Sequence, residues 1–219
     1  MTTTVKEDGQ LPLQDSSGAG AMRVLLLTLL IAFICLIKRG QAVKWGGCEH
    51  VDLQQNFTIE KYMGTWYEIE RLYNVSGEHK CISETISQIP NNFEDRLEIL
   101  TRMVKGKGEV VALEGELILP TKGEKAKLQY KINRHPWGMD DHLDPAILHY
   151  WVVATDYTSY SLVFSCVSFL SIAHTPYAWL LSRERQLSEN ATNHLHNLLI
   201  KFNIGIKDIV KINQKDCIV

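Results

Sequence analysis

Lys127-Leu128-Gln129-Tyr130-Lys131-Ile132 alternates polar and apolar residues, so a two-residue period sets Leu128, Tyr130 and Ile132 on one face and Lys127, Gln129 and Lys131 on the other. That is the pattern of an antiparallel strand with one face in a core and the other in water. Runs of the same kind lie on both sides of it: 65–72, 82–89, 96–104, 110–119, 126–132 around the stretch itself, then 148–155, 159–168 and 177–183. Turn residues separate them at 90–92, 105–108, 120–124 and 156–159. Short runs at near-regular spacing predict an up-and-down sheet or barrel.

Beyond the eighth run the period lengthens. Leu187, Ala191, Leu195, Leu198, Leu199 and Phe202 recur at three- and four-residue intervals, one apolar stripe of an amphipathic helix. Ser188 stands where an N-cap belongs, and Gly205 lies where a left-handed residue stops a helix. A last run, 208–212, is placed to return along the sheet. The prediction is an all-β fold: an eight-stranded up-and-down antiparallel barrel with one C-terminal α-helix packed outside. A barrel of eight strands has an interior wide enough for one small ligand.

Residues 24–37 are fourteen uncharged, mostly apolar residues between Arg23 and the pair Lys38-Arg39. Their length is that of an export signal, whereas a spanning helix needs about 20 residues. Gly40 and Ala42 offer cleavage before Val43, so 1–42 reads as an N-terminal extension with signal peptide and 43–219 as a single domain. Met1 and Met22 are both available as starts, and the positive charges after the apolar run leave an uncleaved signal anchor as the alternative. Removing 1–42 takes Lys6, Arg23, Lys38 and Arg39 from 23 basic residues and Glu7, Asp8 and Asp15 from 25 acidic ones, leaving 19 against 22, net −3. No long single-sign block remains, so nucleic acid is not an expected partner. The stretch from Lys211 to Val219 lacks a hydrophobic tail, which favours free secretion over a glycolipid anchor.

Of five cysteines, Cys35 falls in the removable segment, and Cys48, Cys81, Cys166 and Cys217 remain. An even number without a C-x-x-C pair favours two disulfides over a zinc knuckle or redox motif, and spacing leaves all three pairings open. Sequons at Asn56, Asn74 and Asn190 point to the same secretory route, hence an extracellular glycoprotein.

Gly64-Thr65-Trp66 opens the first run, Thr155-Asp156-Tyr157 follows the sixth and Arg183 ends the eighth. Together they resemble the three motifs of the lipocalin family, in which the glycine permits the turn into the first strand, the tryptophan plugs the closed end, and the arginine packs across its indole. The longer stretch Lys61-Tyr62-Met63-Gly64-Thr65-Trp66-Tyr67-Glu68-Ile69-Glu70, with Asn56-Phe57 before it and Leu162-Val163-Phe164-Ser165-Cys166 later, is similar to the apolipoprotein D and Lazarillo-like branch over roughly residues 45–217. The resemblance implies disulfides Cys48–Cys166 and Cys81–Cys217, each worth about 4 kcal/mol. It also implies a carrier of a small hydrophobic ligand such as a fatty acid, steroid, retinoid or related lipid, with a bilin or other tetrapyrrole, or a cargo-free cell-surface signal, as alternatives. Strand position and resemblance give Thr101, Leu128, Tyr130, Tyr150 and Trp151 as pocket residues; ordinary barrel filling or an outward side chain accounts for any one of them equally well.

Residues 134–145 make a connection longer and more acidic than the branch carries, expected at the open mouth, where Trp137 and Met139 belong either to a loop folded over the mouth, the reading preferred, or to an apolar tip for a membrane, lipoprotein or receptor. His135, Asp140, Asp141 and His142 match no standard metal spacing, so neither metal nor cofactor is expected. There is no G-x-S-x-G elbow and no phosphate-cradling Gly/Lys loop, so no enzyme is expected. The one enzymatic alternative, a thiol isomerase acting inside the barrel, needs an unpaired cysteine.

Overall fold

The computed structural model describes residues 22–24, 44–72, 79–90, 95–106, 108–132 and 147–217. Outside these lie most of the apolar N-terminal segment, Cys35, the sequon at Asn74, and the 134–145 connection with His135, Trp137, Met139, Asp140, Asp141 and His142. Contacts divide the chain into two units, Met1–Gln41 and Ala42–Val219. In the first, Met22, Arg23 and Val24 are helical and exposed.

In the second unit a two-residue strand, β1 (Lys44–Trp45), and a helical turn, α1 (Ile59–Tyr62), precede the eight long strands. These are β2 (Gly64–Leu72), β3 (His79–Gln88), β4 (Arg96–Lys105), β5 (Glu109–Ile118), β6 (Lys127–Ile132), β7 (Ile147–Thr155), β8 (Tyr160–Phe169) and β9 (Ala173–Ser182). Helix α2 (Glu189–Lys201) and β10 (Ile209–Lys211) follow. Each long strand pairs antiparallel with the next, and β9 returns to β2, which closes the barrel. β1 extends the sheet against β9, and β10 adds to β2.

β9 begins four residues before the run that the sequence marked. Pro176 is tolerated there because, among the described residues, β1 pairs only as far as His174 and β2 only as far as Ala178, so at Pro176 the strand pairs with β8 alone. On the outer wall Leu162, Phe164, Ala178 and Leu180 are completely buried in one core cluster with Leu195 and Leu199 of α2. The buried Glu70 is bonded from the same helix by His196 Nε2 at 2.6 Å.

The Ser188 Oγ accepts from the Ala191 N–H at 3.3 Å and caps α2. Ser188→Ala is expected to lower stability by about 1 kcal/mol, read as a shifted urea midpoint with unchanged slope. The stop differs from expectation, since Asn203 rather than Gly205 is left-handed, with φ 58°. The Asn203 N–H donates to Ile200 O at 3.0 Å and the Ile204 N–H to Leu199 O at 2.9 Å, a Schellman pair that ends the helix before glycine is needed.

Two disulfides tie the strands to the chain ends: Cys48 to Cys166, and Cys81 to Cys217. This is the pairing implied by the resemblance.

Candidate functional site

A hydrogen bond between strands that are not neighbours identifies the inner face. The hydroxyl of Tyr150 on β7 donates to Glu84 Oε1 on β3, with β4, β5 and β6 between them in the sheet, so the bond crosses the lumen. Directly paired residues share a face. Following the register from these two places Trp66, Thr101, Leu128, Tyr130, Val163 and Trp179 inside. Gly115 makes room on this face: a Cβ there would lie 2.7 Å from Lys131 O and would overlap the Tyr130 ring.

The closed end is built from the three sequence motifs. Gly64, at φ +99°, turns the chain from α1 into β2 and leaves space beside the Arg183 guanidinium. That guanidinium lies 3.7 Å from the Trp66 ring centroid. Its N–H groups donate to Thr65 O (2.9 Å), Met63 O (2.9 Å), Tyr157 O (3.0 Å), Tyr62 O (3.1 Å) and Lys61 O (3.2 Å). Asp156 shapes the turn before β8 by accepting from the N–H groups of Thr158, Ser159 and Tyr160. Partial burial works against the Asp156 charge, but these bonds and the Ser159 hydroxyl hold its carboxyl below the ordinary range.

Above Trp66 the barrel floor is polar. Tyr62 Oη lies 2.9 Å from Ser161 Oγ and 3.3 Å from Tyr150 Oη, which in turn bonds Glu84. Glu68 and Arg71 share this inner face because Ile69 is an extra residue in the β2–β9 ladder, a bulge that reverses the alternation. Arg71 grips Glu68 with both Nε and Nη2, the second at 2.7 Å. Burial pushes the Glu84 carboxyl up to about 7, with the nearby Glu68 adding to the shift and the Tyr150 bond opposing it. The hydroxyls of Tyr62 and Tyr150 are also raised, by burial first and by Glu84 next.

A carboxyl raised by folding holds its proton more tightly in the folded chain than in the unfolded one. Stability therefore falls as pH rises from 4.5, the ordinary value, through about 7. Glu84→Gln keeps an acceptor for Tyr150 without the charge, and its advantage over wild type in thermal melts is expected to grow across that window. A constant offset between pH 4 and pH 8 contradicts the assignment.

Of the five expected pocket residues, Thr101, Leu128, Tyr130 and Tyr150 face inward. Trp151 is a correction. It pairs with Phe164 and Lys127 on the outer face, stacks on His149 at 4.5 Å and carries the Lys127 ammonium 4.8 Å over its ring. Glu68, Arg71 and Glu84 belong to the site and were not anticipated. Glu84 had a signal, because it shares the alternation of the buried Ile86, and a carboxylate on an apolar face needs a reason. All four cysteines among the described residues are in disulfides, which leaves a thiol enzyme no nucleophile there.

Residues 57–211 match the family model of the lipocalin-like domain, and the chain belongs to that family. Lipocalins hold small hydrophobic ligands within the barrel. Apolipoprotein D of Macaca fascicularis is 35% identical over 196 residues, covering 89% of this chain and 97% of the relative. The Lazarillo protein of Schistocerca americana is 27% identical over 81% of each chain. Among solved structures, lobster apocrustacyanin A1 superposes with a TM-score of 0.66 at 20% identity, over 80% of this chain and 92% of the other.

Proposed function

We propose that this chain is a secreted carrier that encloses one small hydrophobic molecule, a fatty acid, steroid, retinoid or related lipid, in the barrel lumen. The observation that carries this reading is the state of the inner face. Arg71, Glu84, Thr101, Tyr130 and Trp179 point inward yet keep accessible surface, although they stand among the fully buried inward residues Trp66, Ile99, Leu117, Leu128 and Val163. A barrel filled by its own side chains, as a cargo-free signalling protein requires, would bury them too. Thr101 and Tyr130 supply wall that a ligand meets, with the buried Leu128 and Tyr150 packed on the same face beside them.

Burying about 300 Å2 of ligand surface yields roughly 7 kcal/mol before the cost of association, which sets a dissociation constant of about 10 μM as the tightest that this area alone supports. Secretion is supported by the signal-length segment 24–37, by two disulfides, and by the exposure of Asn56 and Asn190 as glycosylation acceptors.

Inward Trp66 and Trp179 report on the lumen. Titrating the ligand-stripped protein with retinol is expected to quench their fluorescence saturably at one equivalent, with most of the change lost in Trp179→Phe. Quenching that rises linearly without saturation contradicts the carrier reading.

A further inference from the structure

We propose that the barrel floor selects among hydrophobic ligands by their polar end, admitting a molecule that leads with a hydrogen-bond donor, a hydroxyl or N–H, over one that leads with a carboxylate, and that Glu84 sets this preference. The proposal rests on the carrier reading and adds the chemical class of the cargo.

The direction of the hydrogen bonds on the floor is fixed by counting protons. Tyr150 spends its hydroxyl proton on Glu84. In the contact between the two tyrosines at 3.3 Å, Tyr62 must therefore be the donor. Ser161 must then donate to Tyr62 across 2.9 Å. All three hydroxyl protons run toward the carboxylate, and none is left for a visitor. Along this chain a ligand meets acceptors and gains most by bringing a donor, and the hydroxyls of Thr101 and Tyr130, bonded to each other, stand on the wall beside it.

Charge points the same way. Glu84 is faced by Trp66 and Glu68 from β2, Thr101 from β4, Tyr130 from β6, Tyr150 from β7 and Tyr62 from α1. The cation on this inner face, Arg71, is held by both oxygens of Glu68. Arg183 lies against Trp66 with its donors on backbone carbonyls. Glu84 thus has a hydroxyl as its hydrogen-bonding partner among the described residues and no countercharge. It is enclosed by the barrel yet keeps accessible surface, as a side chain bordering an internal space does. An anionic head group sinking to the floor would place a second negative charge beside it where little water screens the pair. A hydroxyl or N–H would instead give Glu84 a bond and lose none.

Retinol and retinoic acid share one polyene and differ at the polar end, and 1-hexadecanol and palmitate form a straight-chain pair with the same difference. Affinities are measured on the secreted, ligand-stripped protein at pH 8, where Glu84 is ionised, by fluorescence for the retinoids and by displacement for the chains. The alcohol of each pair is expected to bind about tenfold more tightly than the acid. Glu84→Gln is expected to bring the ratio within about threefold, chiefly by tightening the acid. Equal binding of alcohol and acid to wild type, or an undiminished ratio in Glu84→Gln, overturns the proposal and leaves the carrier reading standing. Failure of all four to bind wild type overturns the carrier reading and the proposal with it. Should Glu84→Gln not fold, the wild-type ratios of the two pairs decide.

Discussion

Arg183→Ala is expected to lower the free energy of unfolding by about 4 kcal/mol and the melting temperature by about 10 °C. The side chain donates to five backbone carbonyls contributed by α1, the start of β2 and the turn after β7, and it lies flat on Trp66. Charge-assisted hydrogen bonds contribute roughly 1.5–3 kcal/mol each and a partly desolvated cation–π contact about 1–2 kcal/mol, but bonds sharing one guanidinium do not add, so the total is well below their sum. Alanine leaves the indole uncovered and several carbonyls at the closed end without donors. Lysine should recover less than half of the loss, because a point ammonium cannot reach carbonyls spread around a planar fork. Thermal melts at pH 7 check this; a change under about 1 kcal/mol would show that the barrel closes without the arginine.

Removing a disulfide should cost about as much. The Cys81–Cys217 bridge spans 136 residues and Cys48–Cys166 spans 118, and loop-closure entropy for rings of that size is worth about 4 to 5 kcal/mol. Against a typical folding free energy of about 5–15 kcal/mol, loss of both bridges should leave little folded protein at 37 °C. The Cys81→Ala/Cys217→Ala variant has a partial safeguard. Gln214 Nε2 still donates to Glu68 O at 2.8 Å and Ile82 O at 2.7 Å, and the Cys81 N–H to Asn213 O at 2.9 Å, so the tail retains its dock. Urea unfolding of each pair variant under non-reducing conditions measures the loss. A midpoint unchanged from wild type in either variant contradicts the entropic account for that bridge.

The strands were legible because alternation is a local property of extended backbone. Leu128 and Tyr130 face the lumen as their two-residue period requires. Trp151 was not legible, because 150–153 is apolar at every position and alternation gives no face there. The resemblance favoured the inside, whereas the register with Phe164 puts it outside. The meeting of Glu68 with Arg71 depends on one inserted residue, Ile69, which leaves no mark in composition or periodicity. The helix stop was misplaced for a related reason: asparagine also reaches the left-handed region, and the buried Ile204 after Asn203 fixes which residue does so. Cysteine spacing left three pairings open. The one present depends on the N-terminal arm crossing to β8 and the C-terminal tail returning to β3, both long-range events that no local pattern encodes.

The carrier reading depends on unfilled space inside this closed, stapled barrel being used. Native mass spectrometry of the protein secreted from eukaryotic cells, followed by extraction of whatever is bound, tests this most directly. The predicted result is a mass above that of the same protein after denaturation by one small apolar molecule carrying a hydroxyl or N–H. A barrel that emerges empty and takes up none of the retinoid and long-chain probes would contradict the carrier account.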